Sequence, residues 1–235
     1  MYITYKNGKE HELIYDDIAH TYKVNDVKIP SVTRIIDACF EKNLTNWAIS
    51  IGDVEYHRII SEALEIGNET HKYIEEYILY EMEDGRHLPK IDKAEKSLTA
   101  FAKWDAKFEP EYLDAERKVY CDKYQYAGTV DAVAKINGRV CVIDFKTSKK
   151  IYKPYHLQVT AYAQAIKRID GLRQWPLGII LRLDKLTGEY EQKVFEPKDH
   201  MSTFIKCLEL RQWSSLRIKN DKNKLESKNE SVSNR

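Results

Sequence analysis

Apolar and polar residues alternate in short runs over positions 1–30, and this period of two predicts short β-strands. Asn7-Gly8 and Asn25-Asp26 stand between the runs and are dipeptides typical of tight turns. The spacing changes at Pro30-Ser31. Ser31 is suited to cap a helix because its hydroxyl can accept a hydrogen bond from a backbone N–H of the first turn, and apolar residues follow it at helical spacing.

Two longer stretches, residues 43–84 and 91–108, place apolar residues three and four positions apart, which predicts helices. Gly67 lies within the first stretch and disfavours a helix at that point. We therefore expect the helix to be interrupted at Gly67 and to restart over Asn68-Glu69-Thr70.

Beyond residue 110 the period returns to two, and the pattern then alternates between strands and helices. It predicts strands over 116–121, 126–136, 139–146, 176–183 and 189–195, and helices over 156–169 and 198–217. Three successive strands followed by a crossover helix predict a mixed sheet with helices packed on it.

The pattern divides the chain into four segments. They are an N-terminal β-hairpin region over 1–30, a helical region over 31–110, a core over 111–218, and a polar tail over 219–235 that we expect to be disordered because it has little to bury.

The hairpin between the second and third core strands brings charged residues together. Asn137-Gly138 is a preferred two-residue turn. If it closes the hairpin, Asp131 lies directly opposite Asp144, with the two Cβ atoms about 5 Å apart. Lys146 lies on the same face as Asp144, because side chains two positions apart on a strand point the same way.

Two carboxylates facing each other repel, so a cation must compensate for them. The run Val140-Cys141-Val142-Ile143 is apolar on both faces and predicts a buried central strand that ends at Asp144. A divalent metal between Asp131 and Asp144 would satisfy both groups, since Mg²⁺ is bound through such carboxylates. The alternative without a metal is a simple ion pair between Asp131 and Lys146 at the rim of the sheet.

Composition adds little about partners. Lys plus Arg number 38 and Asp plus Glu number 37, so a nucleic-acid surface would have to be a local patch. No apolar run approaches the roughly 18–20 residues that cross a bilayer, and the first residues lack a secretory pattern, so we expect no membrane contact and a cytoplasmic location. The four cysteines are scattered and do not form the close pair typical of a zinc site.

Several short segments of the sequence together form a recognisable pattern. They are Gly128-Thr129-Val130-Asp131, Ile143-Asp144-Phe145-Lys146-Thr147-Ser148, Gln158-Val159-Thr160-Ala161-Tyr162, the upstream Gly67-Asn68-Glu69-Thr70-His71-Lys72-Tyr73-Ile74-Glu75, and Pro30-Ser31-Val32-Thr33 with Trp47. The chain resembles the PD-(D/E)XK nuclease superfamily. Within it, the chain is similar to the RecB-type branch, which includes CRISPR-adaptation nucleases, mitochondrial genome maintenance exonucleases and small stand-alone phage-type exonucleases.

The resemblance implies a fold and a set of roles. The fold is an α/β (α+β) restriction-endonuclease-like core, with a mixed central sheet flanked by helices and an N-terminal hairpin and helical appendage. The implied metal ligands are His71, Asp131, Asp144 and the backbone carbonyl of Phe145. The implied catalytic residues are Asp131, Asp144, Lys146, Gln158 and Tyr162. Relatives often carry a glutamate on the first core strand, where Glu116 lies.

The resemblance implies Mg²⁺ or Mn²⁺ as the cofactor. Some relatives hold an iron–sulfur cluster through one early and three late cysteines, but here only Cys207 lies late, so no cluster is expected. Lys149, Lys150 and Lys153 follow the site and could contact phosphates, or could simply be solvated. Arg34, Trp47 and Arg182 are further candidates for DNA contacts.

The sequence thus predicts a metal-dependent deoxyribonuclease, in first place an exonuclease acting on single-stranded DNA or DNA ends in phage-type replication, recombination or repair. Two alternatives stay open: a structure-specific endonuclease, and a catalytically inactive nucleic-acid-binding protein of the same fold. The sequence does not determine the oligomeric state.

Overall fold

A computed structural model describes residues 1–40, 49–82 and 87–215 of the protein. Trp47 and the 219–235 tail lie outside the described residues, and so do parts of the helical stretch predicted over 43–84. The described chain forms two β-sheets, with helices between and around them.

The N-terminal region is a four-stranded antiparallel sheet, which is larger than the predicted hairpin. Its strands are β1 (Tyr2–Thr4), β2 (Glu10–Asp16), β3 (Thr21–Val24) and β4 (Val27–Ile29), hydrogen-bonded in that order. Asn25 and Asp26 both have positive φ, at 47° and 63°, as a tight turn between β3 and β4 requires. The turn prediction at this dipeptide is therefore confirmed.

Three helices follow: α1 (Val32–Asp37), α2 (Asp53–Met82) and α3 (Glu95–Phe108). Ser31 caps α1 as predicted, since its hydroxyl accepts a hydrogen bond from the Arg34 backbone N–H at 3.2 Å. The predicted break at Gly67 is wrong, because α2 runs through it without interruption. One glycine costs a helix only about 1 kcal/mol, which the packing of α2 outweighs. A Cβ at Gly67 would lie 3.4 Å from the Thr147 hydroxyl oxygen, so α2 passes close to the loop that contains Thr147 at this point.

The core sheet has the order β5-β6-β7-β8-β9. The strands are β5 (Glu111–Cys121), β6 (Tyr126–Ile136), β7 (Arg139–Lys146), β8 (Leu177–Leu183) and β9 (Tyr190–Phe195). Strands β7 and β8 are parallel, and the other neighbours are antiparallel. The pairing of Ile136 with Arg139 confirms the hairpin register predicted from the Asn137-Gly138 turn.

The parallel pair β7 and β8 is joined by the crossover helix α4 (Lys153–Ile169), and a 3₁₀ turn (Pro197–His200) leads into a helix α5 over residues 201–215. Residues of α4 and of the N-terminal sheet pack with Val142 and Ile180 on one face of the core sheet. Residues of α2 and α3 pack with Ile143 and Phe145 on the other face. Strand β7 is therefore buried on both faces, as its apolar run predicted.

The mixed sheet with helices on both faces confirms the predicted α+β, restriction-endonuclease-like fold class. None of the helices within the described ranges is long and apolar enough to span a membrane. The division into four segments stays a prediction.

Two glycine-to-alanine changes should alter stability in opposite directions. Gly67→Ala adds helix propensity inside α2, and its Cβ meets only an ordinary contact, so we expect the free energy of unfolding to rise by about 0.5–1 kcal/mol. Gly128→Ala would place a Cβ 2.6 Å from Cε1 of Tyr162, so we expect a loss of about 1–3 kcal/mol. Urea unfolding of both variants measures these changes. Destabilisation by Gly67→Ala would contradict the expectation that the space between α2 and Thr147 can hold a methyl group.

Candidate metal and nuclease site

Strand β7 presents Asp144 and Lys146 at its carboxyl end. Because Val142 packs on the α4 face and side chains alternate along a strand, Asp144 and Lys146 lie on that face too. Asp144 is completely buried. Nζ of Lys146 lies 2.7 Å from both carboxylate oxygens of Asp144 and donates a hydrogen bond to Oδ1. The two residues form a buried, directly bonded ion pair.

Asp131 lies on β6 next to this pair, one position beyond the last paired residues of the β6–β7 ladder, so its place opposite Asp144 stays a prediction. The ladder between β6 and β7 ends at Ala132 and Ile143, one pair short of Asp131 and Asp144. Oδ2 of Asp131 instead accepts a hydrogen bond from the backbone N–H of Phe145 at 2.8 Å. A side chain thus takes the place of the next ladder bond and holds the Asp131 carboxylate against the backbone of β7.

His71, Glu116 and Asp131 bring three potential metal-ligating atoms within 4.8 Å of one another. They come from α2, β5 and β6, and Nδ1 of His71 is 3.6 Å from Oδ2 of Asp131. Glu116 lies opposite Asp131, between the pairs Ala115–Ala132 and Arg117–Val130. Its φ of 46° is rare for a residue that is not glycine, so the backbone is strained at the point where the carboxylate is presented.

Burial and the neighbouring charges shift the pKa values of the carboxylates in this cluster. Burial, Asp131 and Glu75 raise the pKa of Glu116 to about 7. Burial also raises the pKa of Asp144, with Asp131 adding to the rise and Lys146 opposing it. For Lys146, burial favours loss of the proton, but Asp144 and Asp131 outweigh it and hold the pKa above its usual value. Lys146 is therefore an ammonium at neutral pH, and the cluster as a whole carries an excess of negative charge.

The residues present fit a divalent cation. Two carboxylates and an imidazole are ordinary ligands for such ions, with carboxylates suited to Mg²⁺ and Mn²⁺. Oδ2 of Asp144 makes no hydrogen bond among the described residues, but it lies 2.7 Å from the Lys146 ammonium, which compensates for its charge. The fit to a cation therefore rests on His71, Glu116 and Asp131, whose ligating atoms lie within 4.8 Å of one another.

Helix α4 supports the site from the side of Asp144. Nε2 of Gln158 donates to the Tyr162 hydroxyl at 3.3 Å. Burial and the nearby Asp144 hold the pKa of Tyr162 well above its usual value, so its hydroxyl stays protonated. The ring of Tyr162 lies against Gly128 on β6, where any side chain would collide with it. The structure thus places Gln158 and Tyr162 beside the buried ion pair, one helical turn apart.

A cleft of about 470 Å³ opens next to the ligand cluster. Glu75 of α2, Glu116 of β5 and Tyr162 of α4 line one side of it, and the N-terminal sheet contributes Tyr15 and Tyr22 to the other. The Tyr15 and Tyr22 rings stack with centroids 4.6 Å apart. The site is therefore a recess between the two sheets and not an open surface.

The residues suggested for DNA contacts are spread around this recess. Lys149 and Lys150 are exposed in the loop after β7, and Lys153 is exposed at the start of α4. The guanidinium of Arg182 is already paired with carboxylates, Asp184 at 3.0 Å and Glu191 at 2.8 Å, so it is less free than the lysines to contact a phosphate. Arg34 is exposed on α1, outside this cleft, and Trp47 lies outside the described residues.

Sequence reasoning gave Glu116 no firm role and did not single out Glu75 or Tyr155. Glu75 is four residues after His71 on α2, a spacing that puts both on one helix face and could have identified it. Tyr155 places its ring 5.0 Å from Nζ of Lys146, in a cation–π contact. Its contact with β7 depends on where the crossover helix docks, so no local pattern could have found it.

Comparison with known proteins supports a nuclease. A sequence profile of the PD-(D/E)XK nuclease superfamily matches residues 56–227. The mitochondrial genome maintenance exonuclease 1 of Mus musculus is 30% identical over 158 residues, which cover 59% of this chain and 44% of that protein. The chain thus spans less than half the length of this relative.

Among solved structures, a candidate exonuclease from Eubacterium rectale is similar, with a TM-score of 0.44 and 14% sequence identity. The similarity covers 68% of each of the two chains.

Removal of a ligand should weaken metal binding. We expect Glu116→Gln and Asp131→Asn each to lower the affinity for Mn²⁺ by at least about tenfold, because each replaces a charged ligand by a neutral one. Isothermal titration calorimetry measures the affinity. Glu111→Gln is the matched control, since Glu111 lies on the same strand but is exposed and paired with Lys135. Unchanged binding by Glu116→Gln would remove Glu116 from the site.

The raised pKa of Glu116 predicts a dependence of stability on pH. Its folded-state pKa of about 7 lies above the usual 4.5, so the folded protein binds more protons between these values, and stability falls as pH rises through them. In EDTA, wild type should therefore lose on the order of 2 kcal/mol relative to Glu116→Gln between about pH 4.5 and 7. Urea unfolding across this range tests the sign, and a constant difference would contradict the burial of a neutral carboxyl.

Proposed function

The chain belongs to the PD-(D/E)XK nuclease superfamily, and on that premise we propose that it is a metal-dependent DNA exonuclease. It hydrolyses phosphodiester bonds in single-stranded DNA or at DNA ends, in phage-type replication, recombination or repair. The observation that carries the proposal is the convergence of His71, Glu116 and Asp131 beside the buried Asp144–Lys146 pair. Surplus negative charge next to a fixed ammonium suits phosphate bound through a cation.

His71, Glu116 and Asp131 would hold Mg²⁺ or Mn²⁺, and Asp144 and the Phe145 backbone carbonyl are the further ligands that the resemblance implies. When bound, such an ion would polarise a phosphate oxygen and lower the pKa of a bound water. The imidazole of His71 suits Mn²⁺ at least as well as Mg²⁺, because nitrogen ligands bind later first-row metals more tightly. The Asp131 carboxylate is fixed by its hydrogen bond from the Phe145 backbone N–H, so this ligand is positioned before a substrate arrives.

Lys146 supplies positive charge and hydrogen-bond donors next to the reacting phosphate. It is fixed from two directions, by the Asp144 carboxylate at 2.7 Å and by the Tyr155 ring at 5.0 Å. Because Lys146 stays protonated, it stabilises the charge that grows on the phosphate oxygens or orients the attacking water; it does not accept a proton. An immobile cation of this kind contributes several kcal/mol without reorganising during the reaction.

Gln158 and Tyr162 have a positioning role. Tyr162 is buried against β6 and keeps its proton, and Gln158 is bonded to its hydroxyl. Burial raises the pKa of the Tyr162 hydroxyl, and Asp144 is close enough to raise it further. We assign them to orienting the Lys146 side of the site and the phosphate backbone that lies there.

Two observations favour a single strand with a free end as the substrate. The similar mouse protein is named as an exonuclease. The partly exposed Tyr15 lines the cleft beside Glu116, and aromatic side chains next to a charged groove are typical of proteins that bind single-stranded DNA by stacking on its bases.

Digestion of linear and circular single-stranded DNA, with Mg²⁺, Mn²⁺ or EDTA, tests the proposal. We expect wild type to degrade the linear strand only with a metal, and Asp131→Asn and Lys146→Ala each to lower the rate by about 100-fold or more, because each removes charge stabilisation of the transition state. Lys135→Ala is the control, since Lys135 lies on β6 in an exposed ion pair with Glu111.

Cleavage of the circular strand would make the protein an endonuclease. Binding without cleavage under any divalent metal would support the inactive binding protein instead. Wild-type rates for Lys146→Ala would overturn the role given to the buried ion pair.

A further inference from the structure

A second cleft, of about 630 Å³, lies beside the catalytic cleft. It runs between β3, β4 and α1 on one side and α5 on the other. His20 and Ser31 line both clefts, so the second cleft, called here the basic groove, is continuous with the catalytic one. Its walls come from segments that are far apart in the chain and meet only in the folded protein.

The groove carries positive charge without compensation. Lys28, Arg34 and Arg211 line it, and no carboxylate is found among its described lining residues. The remaining polar lining consists of neutral hydrogen-bonding groups and His20: Thr21, Ser31, Gln125, Gln212 and Ser215. Cations with hydroxyl and amide donors beside them are the groups that contact phosphate backbones.

The three cations differ from most of the described arginines. Outside the groove, five arginines are bonded to carboxylates: Arg58, Arg117, Arg139, Arg168 and Arg182. Arg173 alone among the described arginines outside the groove is in no ion pair, and it lies away from both clefts. Within the described ranges, Lys28, Arg34 and Arg211 take part in no ion pair. Arg34 donates one hydrogen bond, to the Ala19 carbonyl at 3.3 Å, and this leaves most of its five donors unused.

The groove is thus a local basic patch in a chain whose net charge is only +1. It lies next to the carboxylates of the catalytic cleft, so the field changes sign between the two clefts. A phosphate chain would be repelled at the carboxylates until a cation is bound there, but it would be attracted to the groove without any metal.

We propose that the basic groove binds the phosphate backbone of single-stranded DNA and leads that strand to the catalytic cleft. The inference rests on the proposed nuclease function. A recess of this volume accommodates a few nucleotides of one strand, whereas a duplex would present a second backbone with no cations to meet it. The hydrogen bond between Tyr22 and Thr129, at 2.8 Å, ties the N-terminal sheet to β6 and keeps the two clefts aligned.

The test measures binding without cleavage. Fluorescence anisotropy of a labelled oligothymidylate of about 20 nucleotides is recorded in EDTA, from about 50 to 200 mM KCl. For the triple variant Lys28→Ala/Arg34→Ala/Arg211→Ala we expect a dissociation constant raised on the order of tenfold or more. We also expect the slope of log affinity against log salt to shrink by about two, because each lost phosphate contact on a single strand removes about 0.7.

A matched triple variant removes the same charge elsewhere. Lys96, Lys107 and Arg173 are exposed, are in no ion pair in the described parts of the chain, and lie away from both clefts. Lys96→Ala/Lys107→Ala/Arg173→Ala should therefore bind the oligonucleotide as wild type does. Thermal unfolding of both variants checks that they are folded.

Equal losses of affinity in the two triple variants would overturn the proposal for the groove, since net charge alone would then explain binding. An equal loss of affinity for a duplex of the same length would overturn the assignment to a single strand. Wild type that binds through the groove but never cleaves would refute the nuclease proposal and leave the groove standing. Cleavage by wild type, together with unimpaired binding by the groove variant, would support the nuclease proposal and refute the role of the groove.

Discussion

The carboxylates of Glu116, Asp131 and Asp144 are crowded within the core sheet, and their mutual repulsion is the constraint on which the site depends. Glu116 and Asp131 lie near the middle of β5 and β6, and Asp144 lies near the end of β7. Burial raises the pKa of Glu116 and Asp144 because neither charge is well solvated. Lys146 compensates for Asp144 alone, through direct contact. The negative charge that remains favours the binding of a further cation, and the cluster of His71, Glu116 and Asp131 could hold one.

Helices on both faces of the core sheet bring side chains to this cluster of carboxylates. Helix α2 brings His71 from one face, and α4 brings Tyr155 and Tyr162 from the other, while β7 between them is buried on both sides. Gly128 allows the close approach of α4, because a side chain there would collide with Tyr162. A site built in this way moves only if the packing of a whole helix changes, which suits a reaction that needs fixed charges.

The N-terminal sheet extends the candidate site beyond the carboxylates of the core sheet. It lies outside the segment matched by the superfamily profile, yet it forms one wall of the cleft beside Glu116 and part of the basic groove. Acidic and basic surfaces are thus kept apart on neighbouring clefts, although the chain is almost neutral overall. That separation is what makes a local nucleic-acid surface possible at a net charge near zero.

The sequence by itself determined the features that depend on neighbouring residues. Asn137-Gly138 set the register of the β6–β7 hairpin, Ser31 marked the start of α1, and the order of strands and helices gave the fold class. The motif residues were also found from their order, and their roles stay a prediction. Only the tertiary structure decided that α2 continues through Gly67, and that Glu116 joins His71 and Asp131. Helix propensity and strand periodicity act over a few residues, whereas the site and the basic groove depend on how segments far apart in the chain pack together.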